Sequence, residues 1–161
     1  MGHLVIVAIV GLLSLGQTQS DQDVYRSWSL PSWVSEVLRT PKFSGKYELY
    51  FGVNPYYQRG DFDGDGAADV AVLIRERGTR KTGIVFVHRA TKSWHVVGAG
   101  SAIGNGGDDF SWLGVWRVEP GTVLAEVRAF RSEVLFVEKP ESASALLYWD
   151  GKRYRWVQRG D

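Results

Sequence analysis

The chain of 161 residues contains no cysteine. Neither a disulfide nor a lipid-modified cysteine can therefore stabilise or anchor it, and the fold must be held by its core and by any metal that it binds. An excess of charge of one sign is also missing, since Lys plus Arg number 19, Asp plus Glu number 18, and the formal net charge is +1. Without a basic stripe or a charged tail, the sequence does not suggest a nucleic-acid partner.

The first twenty residues have the pattern of a secretory signal peptide. An apolar run at residues 4–15 is followed by the small and polar residues 16–20. About twelve apolar residues are too few for a transmembrane helix, which needs about twenty. We therefore expect residues 1–20 to be removed on export. Residues 21–161 would then form a single domain, periplasmic or secreted, with no membrane attachment.

The most informative segment is the acidic loop DFDGDGAAD at residues 61–69. Four carboxylates in so short a loop repel one another unless a hard cation lies among them. Ca²⁺ suits such a loop because it takes about six to eight oxygens from carboxylates, carbonyls and water. The spacing predicts five ligands, which are the side chains of Asp61, Asp63, Asp65 and Asp69 and the carbonyl of Ala67. The alternative is a solvated acidic turn without a metal.

The residues after the loop determine which family it resembles. An EF-hand needs a bidentate Glu at the twelfth loop position, where this chain has Val72 within the apolar run 70–74. The β-branched residues of that run predict a strand rather than a helix. The DxDGDGxxD pattern followed by a strand resembles the calcium loops of FG-GAP and VCBS-type repeats, known from integrin-like β-propellers and many secreted bacterial proteins. This resemblance covers residues 59–74 and implies a bound calcium ion.

Most of the remaining sequence predicts strands. Residues 32–39 give one helix, with Ser32 as its cap and Thr40-Pro41 at its end. Strands are expected at residues 47–51, 70–76, 83–88, 93–97, 112–118 and 133–138, while residues 122–127 fit either a strand or a helix. A single calcium loop cannot close a propeller, which needs about four blades or more. We expect a mainly β fold, a small antiparallel sheet domain with one N-terminal helix and a calcium-loop hairpin.

The clearest turn signal is Asp150-Gly151, which is typical of a two-residue hairpin loop between two strands. Counting outward from that turn pairs Trp149 with Lys152. The alternation of side chains then predicts a core-facing side made of Leu147, Trp149, Tyr154 and Trp156.

Two further segments hold candidate binding residues. The glycine-rich residues 98–104 lack the spacing of a phosphate-binding loop, so they indicate a flexible connector. Asn105, Asp108 and Asp109 form either an ordinary polar turn or part of a metal or partner site. Tyr56 and Tyr57, just before the calcium loop, are the aromatic pair that we expect to be partly exposed for binding.

Three functions from different classes fit these features. The first is an exported calcium-binding domain that recognises a protein or glycan partner, and one version of it is a periplasmic inhibitor or immunity protein that masks an effector enzyme. The second is a small secreted hydrolase, with Asp108, Asp109 or Glu141 acting with His88 or His95. Neither a nucleophile elbow nor a zinc-binding histidine motif supports it. The third is a structural module that needs partner repeats, although we expect a monomer.

Overall fold

The computed structural model describes residues 29–124 and 132–160. Two short helices, α1 (Ser32–Leu38) and α2 (Pro41–Ser44), come first. The strands are β1 (Tyr47–Leu49), β2 (Tyr57–Gly60), β3 (Asp69–Glu76), β4 (Thr82–Val87), β5 (Trp94–Gly98), β6 (Val115–Glu119), β7 (Val134–Lys139), β8 (Ala143–Trp149) and β9 (Tyr154–Gly160). Single 3₁₀ turns lie at Gly104–Gly106 and Gly121–Leu124. The predicted signal peptide falls outside the described residues, and none of the described helices is long and apolar enough to cross a membrane.

The strands form two antiparallel sheets. The first sheet has five strands in the order β1-β3-β4-β5, and β2 also pairs with β3. The second sheet has four strands in the order β6-β7-β8-β9. The mainly antiparallel β fold expected from the sequence is therefore confirmed.

The central strands β3 and β4 are covered on both faces. All six residues of β4 and the first six of β3 are buried. On one face, Phe43 of α2 packs edge-on against Trp94 of β5, with ring centroids 5.5 Å apart. On the other, Phe86 of β4 stacks on Tyr154 of β9 at 3.7 Å. This double burial explains why residues 70–74 form a continuous apolar run without the alternation of a half-exposed strand.

The helical region differs from the prediction in two respects. The N-cap of α1 is Pro31 and no side chain caps this helix, so the predicted capping role of Ser32 is wrong. A second helix begins at Pro41, where the sequence predicted only a helix end. Proline favours the first turn of a helix because its φ is already helical and its missing N–H has no partner there in any case.

The predicted strands are largely confirmed, with two differences. The hairpin expected from residues 70–76 and 83–88 is β3 paired with β4, with Val70 opposite Val87. Strand β2 was not predicted as a strand, because four residues carry too little alternation to be recognised. Residues 122–124 of the ambiguous segment belong to the 3₁₀ turn Gly121–Leu124, and residues 125–127 lie outside the described part of the chain.

The C-terminal hairpin has a different register from the predicted one. Trp149 pairs with Tyr154 rather than with Lys152. The Asp150 carboxylate accepts the N–H groups of Lys152 and Arg153, both at 2.9 Å. The centre of the turn therefore lies one residue further along the chain than predicted. Residues 145–149 of β8 thereby face partners two positions further on than predicted, up to a bulge between Ser144 and Ala145. Because this shift is even, the predicted core-facing side is unchanged and confirmed.

Candidate metal centre

The acidic loop connects β2 to β3, and its two ends are neighbours in the sheet. Gly60, the last residue of β2, pairs with Asp69, the first residue of β3. Inside the loop, Gly64 and Gly66 have φ angles of +80° and +86°. Side chains rarely adopt this left-handed conformation, so the two glycines allow the chain to curl tightly between its carboxylates.

Three of the predicted ligands converge in this loop. One carboxylate oxygen from each of Asp61, Asp63 and Asp65 lies within 4.8 Å of the others. Two ligands on opposite sides of a calcium ion are about 4.8 Å apart, since each Ca–O distance is about 2.4 Å. Asp61 also accepts the N–H of Gly64 at 2.9 Å and of Gly66 at 3.0 Å, which fixes its orientation. The three oxygens therefore have a spacing that one hard cation can bridge.

Asp69 is placed differently from these three. It is fully buried, and its Oδ2 accepts the N–H groups of Phe62 at 3.1 Å and Asp63 at 3.3 Å. Its Oδ1 accepts the N–H of Arg89 at 2.8 Å, just beyond β4. Burial raises the pKa of Asp69 to about 6, although these hydrogen bonds oppose the rise. Asp69 thus ties the loop to two strands, and its role as a metal ligand stays a prediction, as does that of the Ala67 carbonyl.

His88 connects the loop to the second sheet. Its ring is 3 % exposed, with Nδ1 3.4 Å from Asp63 Oδ2 and Nε2 2.8 Å from the Tyr154 hydroxyl. Burial lowers the pKa of His88, while the charges of Asp63 and Asp65 act in the opposite direction. The Tyr154 hydroxyl is thus the hydrogen-bond partner of Nε2, while Nδ1 lies near the Asp63 carboxylate. One atom from each of His88, Asp63 and Asp69 also lies within 4.8 Å of the others.

Glu133, directly before β7, makes a second contact between the loop and the second sheet. Its Oε2 accepts the N–H of Asp61 at 2.7 Å, and its own N–H donates to the Asp61 carbonyl at 2.7 Å. The two residues are 72 positions apart in the chain. Sequence reasoning missed Glu133 because no local pattern links it to the loop.

The predicted binding residues at positions 105–109 lie elsewhere. Asp109 accepts the N–H of Thr82 at 2.9 Å and of Ser111 at 3.1 Å, and these bonds lower its pKa although burial acts against them. Asp108 pairs with Lys81 at 2.5 Å. Within residues 29–124 and 132–160, neither cluster of metal-capable side chains includes Asp108 or Asp109. Asp109 therefore anchors the glycine-rich segment to β4, and Asn105 is exposed on that segment.

The aromatic pair before the loop is less accessible than predicted. Tyr56 is 8 % exposed, and its hydroxyl is hydrogen-bonded to Ser29 at 2.8 Å. Phe51 covers its ring, with centroids 4.8 Å apart. The expectation that Tyr56 is partly exposed is wrong, whereas Tyr57 is half-buried.

The candidate acids of a hydrolase do not converge on His88 or on His95. His95 pairs with Phe86 of β4, about 13 Å along the strand from Thr82, and its ring lies 4.5 Å from that of Trp149. Asp109 is bonded to Thr82 at the start of β4, and His88 follows the end of this six-residue strand. That separation is about 20 Å at about 3.3 Å per residue. Glu141 lies in the turn between β7 and β8, whereas the ring of Trp149 at the far end of β8 is 4.8 Å from that of His88. Glu141 is thus about 25 Å from the histidine by the same rise.

Comparisons of the chain with protein-family models, with curated proteins and with solved structures found no match. The resemblance of residues 59–74 to FG-GAP and VCBS-type loops therefore stays a prediction.

Proposed function

We propose that the protein is an exported calcium-binding domain, in which the ion is structural and supports a recognition surface. The observation that carries the proposal is the convergence of Asp61, Asp63 and Asp65, whose carboxylate oxygens lie within 4.8 Å of one another. A cation at this point removes the repulsion among three like charges. Carbonyl oxygens and water would complete its coordination, as is usual for Ca²⁺.

The contacts of the loop explain what the ion would do for the fold. Asp61 is hydrogen-bonded to Glu133 before β7, and Asp63 faces His88, which is bonded to Tyr154 of β9. An ion that holds the two aspartates therefore also holds the contacts between the two sheets. By linkage, saturation at about one hundred times the Kd stabilises the folded state by about 2.7 kcal/mol.

A binding role fits the described residues better than hydrolysis. The Nε2 of the buried His88 ring is already hydrogen-bonded to Tyr154, and its Nδ1 faces Asp63 of the loop. Asp109 is likewise engaged by backbone N–H groups rather than directed at a histidine. Extracellular calcium sites often have a Kd of about 0.1–1 mM, which suits a structural ion in an exported protein.

Calorimetric titration of Ca²⁺ into the chelator-treated protein, with thermal melts in parallel, tests the proposal. We expect saturable binding and a higher Tm with Ca²⁺, and loss of both effects in the double variant Asp63→Asn, Asp65→Asn. Asp108→Asn is the matched control, because this carboxylate lies outside the loop and pairs with Lys81. A folded native protein that binds no Ca²⁺ would contradict the proposal and leave a solvated acidic turn.

A further inference from the structure

A groove of about 670 Å³ lies between the edge strands of the two sheets. Strand β5 pairs only with β4, and β9 pairs only with β8, among the described strands. The walls of the groove include Trp94, His95, Val96, Arg153, Tyr154 and Trp156. Two sheet edges thus face one cavity whose volume is typical of ligand sites.

The hydrogen bonds between β4 and β5 show which backbone groups face the groove. At the start of the pair, the carbonyl of Ser93 accepts the N–H of His88 at 3.0 Å. In an antiparallel pair every second residue bonds the partner strand, so residues 93, 95 and 97 are directed at β4. The N–H and C=O groups of Trp94 and Val96 therefore point away from β4, towards the open edge.

The edge of β9 is less open than that of β5. The backbone N–H of Asp150 donates to the carbonyl of Arg153 at 3.1 Å. Because every second residue bonds the partner strand, the backbone groups of Tyr154 and Trp156 point away from β8. The turn Gly104–Gly106, however, lies against Trp156. A Cβ added at Gly104 would be 2.5 Å from Trp156 Cγ. This turn covers part of the β9 edge and leaves β5 as the edge that another strand can reach.

The groove also has an uncompensated positive charge. Arg153 and Arg155 are part of its lining, and the lining contains no carboxylate. Arg155 is paired with Asp150, whereas Arg153 is exposed and has no ion pair within the described ranges. The charged guanidinium of Arg153 beside aromatic side chains favours a ligand that carries an acidic group.

We infer that this groove binds an extended, acidic peptide segment of a partner protein, which adds a strand to the edge of β5. Main-chain bonds to Trp94 and Val96 supply affinity, Trp156 packs against the peptide's side chains, and Arg153 pairs with its carboxylate. The inference deepens the proposed recognition role and rests on it for the existence of a partner. The groove is connected to the acidic loop through two residues. Tyr154 lines the groove and is hydrogen-bonded to His88, which lies beside Asp63 of the loop.

A phage-displayed random dodecapeptide library, selected on the calcium-loaded protein, provides the probe. The protein is expressed from its full chain, so that cellular processing sets its N-terminus. We expect enriched peptides with Asp or Glu among β-branched residues, and slower hydrogen exchange at the amides of Trp94 and Val96 when a synthetic copy binds. Arg153→Glu should weaken binding at least tenfold. Arg59→Glu, an exposed arginine of β2, is the charge-matched control and should change it little.

Val96→Pro tests the main-chain bonds directly. It removes one outward N–H without removing a hydrogen bond to β4, a position at which edge strands tolerate proline, and should weaken binding about tenfold. Failure to enrich any peptide, or binding without protection of Trp94 and Val96, overturns the inference. If the amides of Trp94 and Val96 become protected simply as the protein concentration rises, the edge binds a second copy of the chain. If the protein binds glycans but no peptide, the groove is a sugar site. Either result also overturns the inference. Calcium binding is measured separately, so a failure here is distinct from a failure of the calcium proposal.

Discussion

The His88 Nε2 lies 2.8 Å from the hydroxyl of Tyr154, a residue 66 positions further along the chain. Both side chains are buried, at 3 % and 6 % exposure. Burial raises the pKa of Tyr154 well above its ordinary value, so its hydroxyl keeps its proton. This one bond joins the end of β4 in the first sheet to the start of β9 in the second.

Tyr154→Phe should therefore destabilise the protein. The change leaves the buried Nε2 of His88 without a partner, and we expect the free energy of unfolding to fall by about 1–3 kcal/mol. Urea denaturation measures the change. Tyr57→Phe is the control, because the Tyr57 hydroxyl makes only an exposed bond of 3.3 Å to the Ser29 carbonyl. Equal losses in the two variants would contradict the special role of the bond between the sheets.

Asp69 and Asp65 should respond differently to substitution. Asp69→Ala removes the acceptor of three backbone N–H groups, and we expect the metal-free protein to lose about 3 kcal/mol or more. Asp65→Asn keeps an oxygen for the N–H of Ala67, so it should leave the stability in chelator nearly unchanged and weaken Ca²⁺ binding. Unfolding in chelator and calorimetry in Ca²⁺ separate the two effects. An Asp69→Ala protein as stable as the native one would refute the structural role.

Glu133 gives a test of the second contact between loop and sheet. Glu133→Ala removes the acceptor of the Asp61 N–H, and we expect a loss of about 1–2 kcal/mol in the free energy of unfolding. Glu133→Gln keeps a carbonyl oxygen at this position and should restore most of the loss. Chemical denaturation of both variants checks the prediction. It is wrong if Glu133→Gln lowers the free energy of unfolding as much as Glu133→Ala does.

Asp150 predicts a pH dependence. Hydrogen bonds from the backbone of Arg153, the side chain of Arg155 and the backbone of Lys152 lower the pKa of Asp150 to about 2. Since the folded pKa lies below the unfolded value, this stabilisation is present above about pH 4 and is lost as the pH falls through about 2. Melting curves from pH 5 to pH 2 should show a shallower decline for Asp150→Asn than for the native protein. Parallel declines would contradict the prediction.

The sequence by itself determined the features that depend on neighbours along the chain. The strands β3 and β4 follow from apolar β-branched runs, and the core side of the final hairpin follows from a two-residue period that an even register shift does not disturb. The loop at residues 61–69 was equally readable, because glycines at fixed offsets let the three close carboxylates of Asp61, Asp63 and Asp65 converge locally.

Only the tertiary structure decided what those segments contact. The second sheet brought Glu133 to the loop, and the pairing of β3 with β4 brought His88 and the N–H of Arg89 to it. Contacts with Ser29 and Phe51 buried Tyr56. The packing of the two sheets set the edges of β5 and β9 beside one groove. Hydrogen bonds across 66 or 72 residues leave no periodic trace in the chain, since they depend on how whole sheets stack rather than on which residues are adjacent.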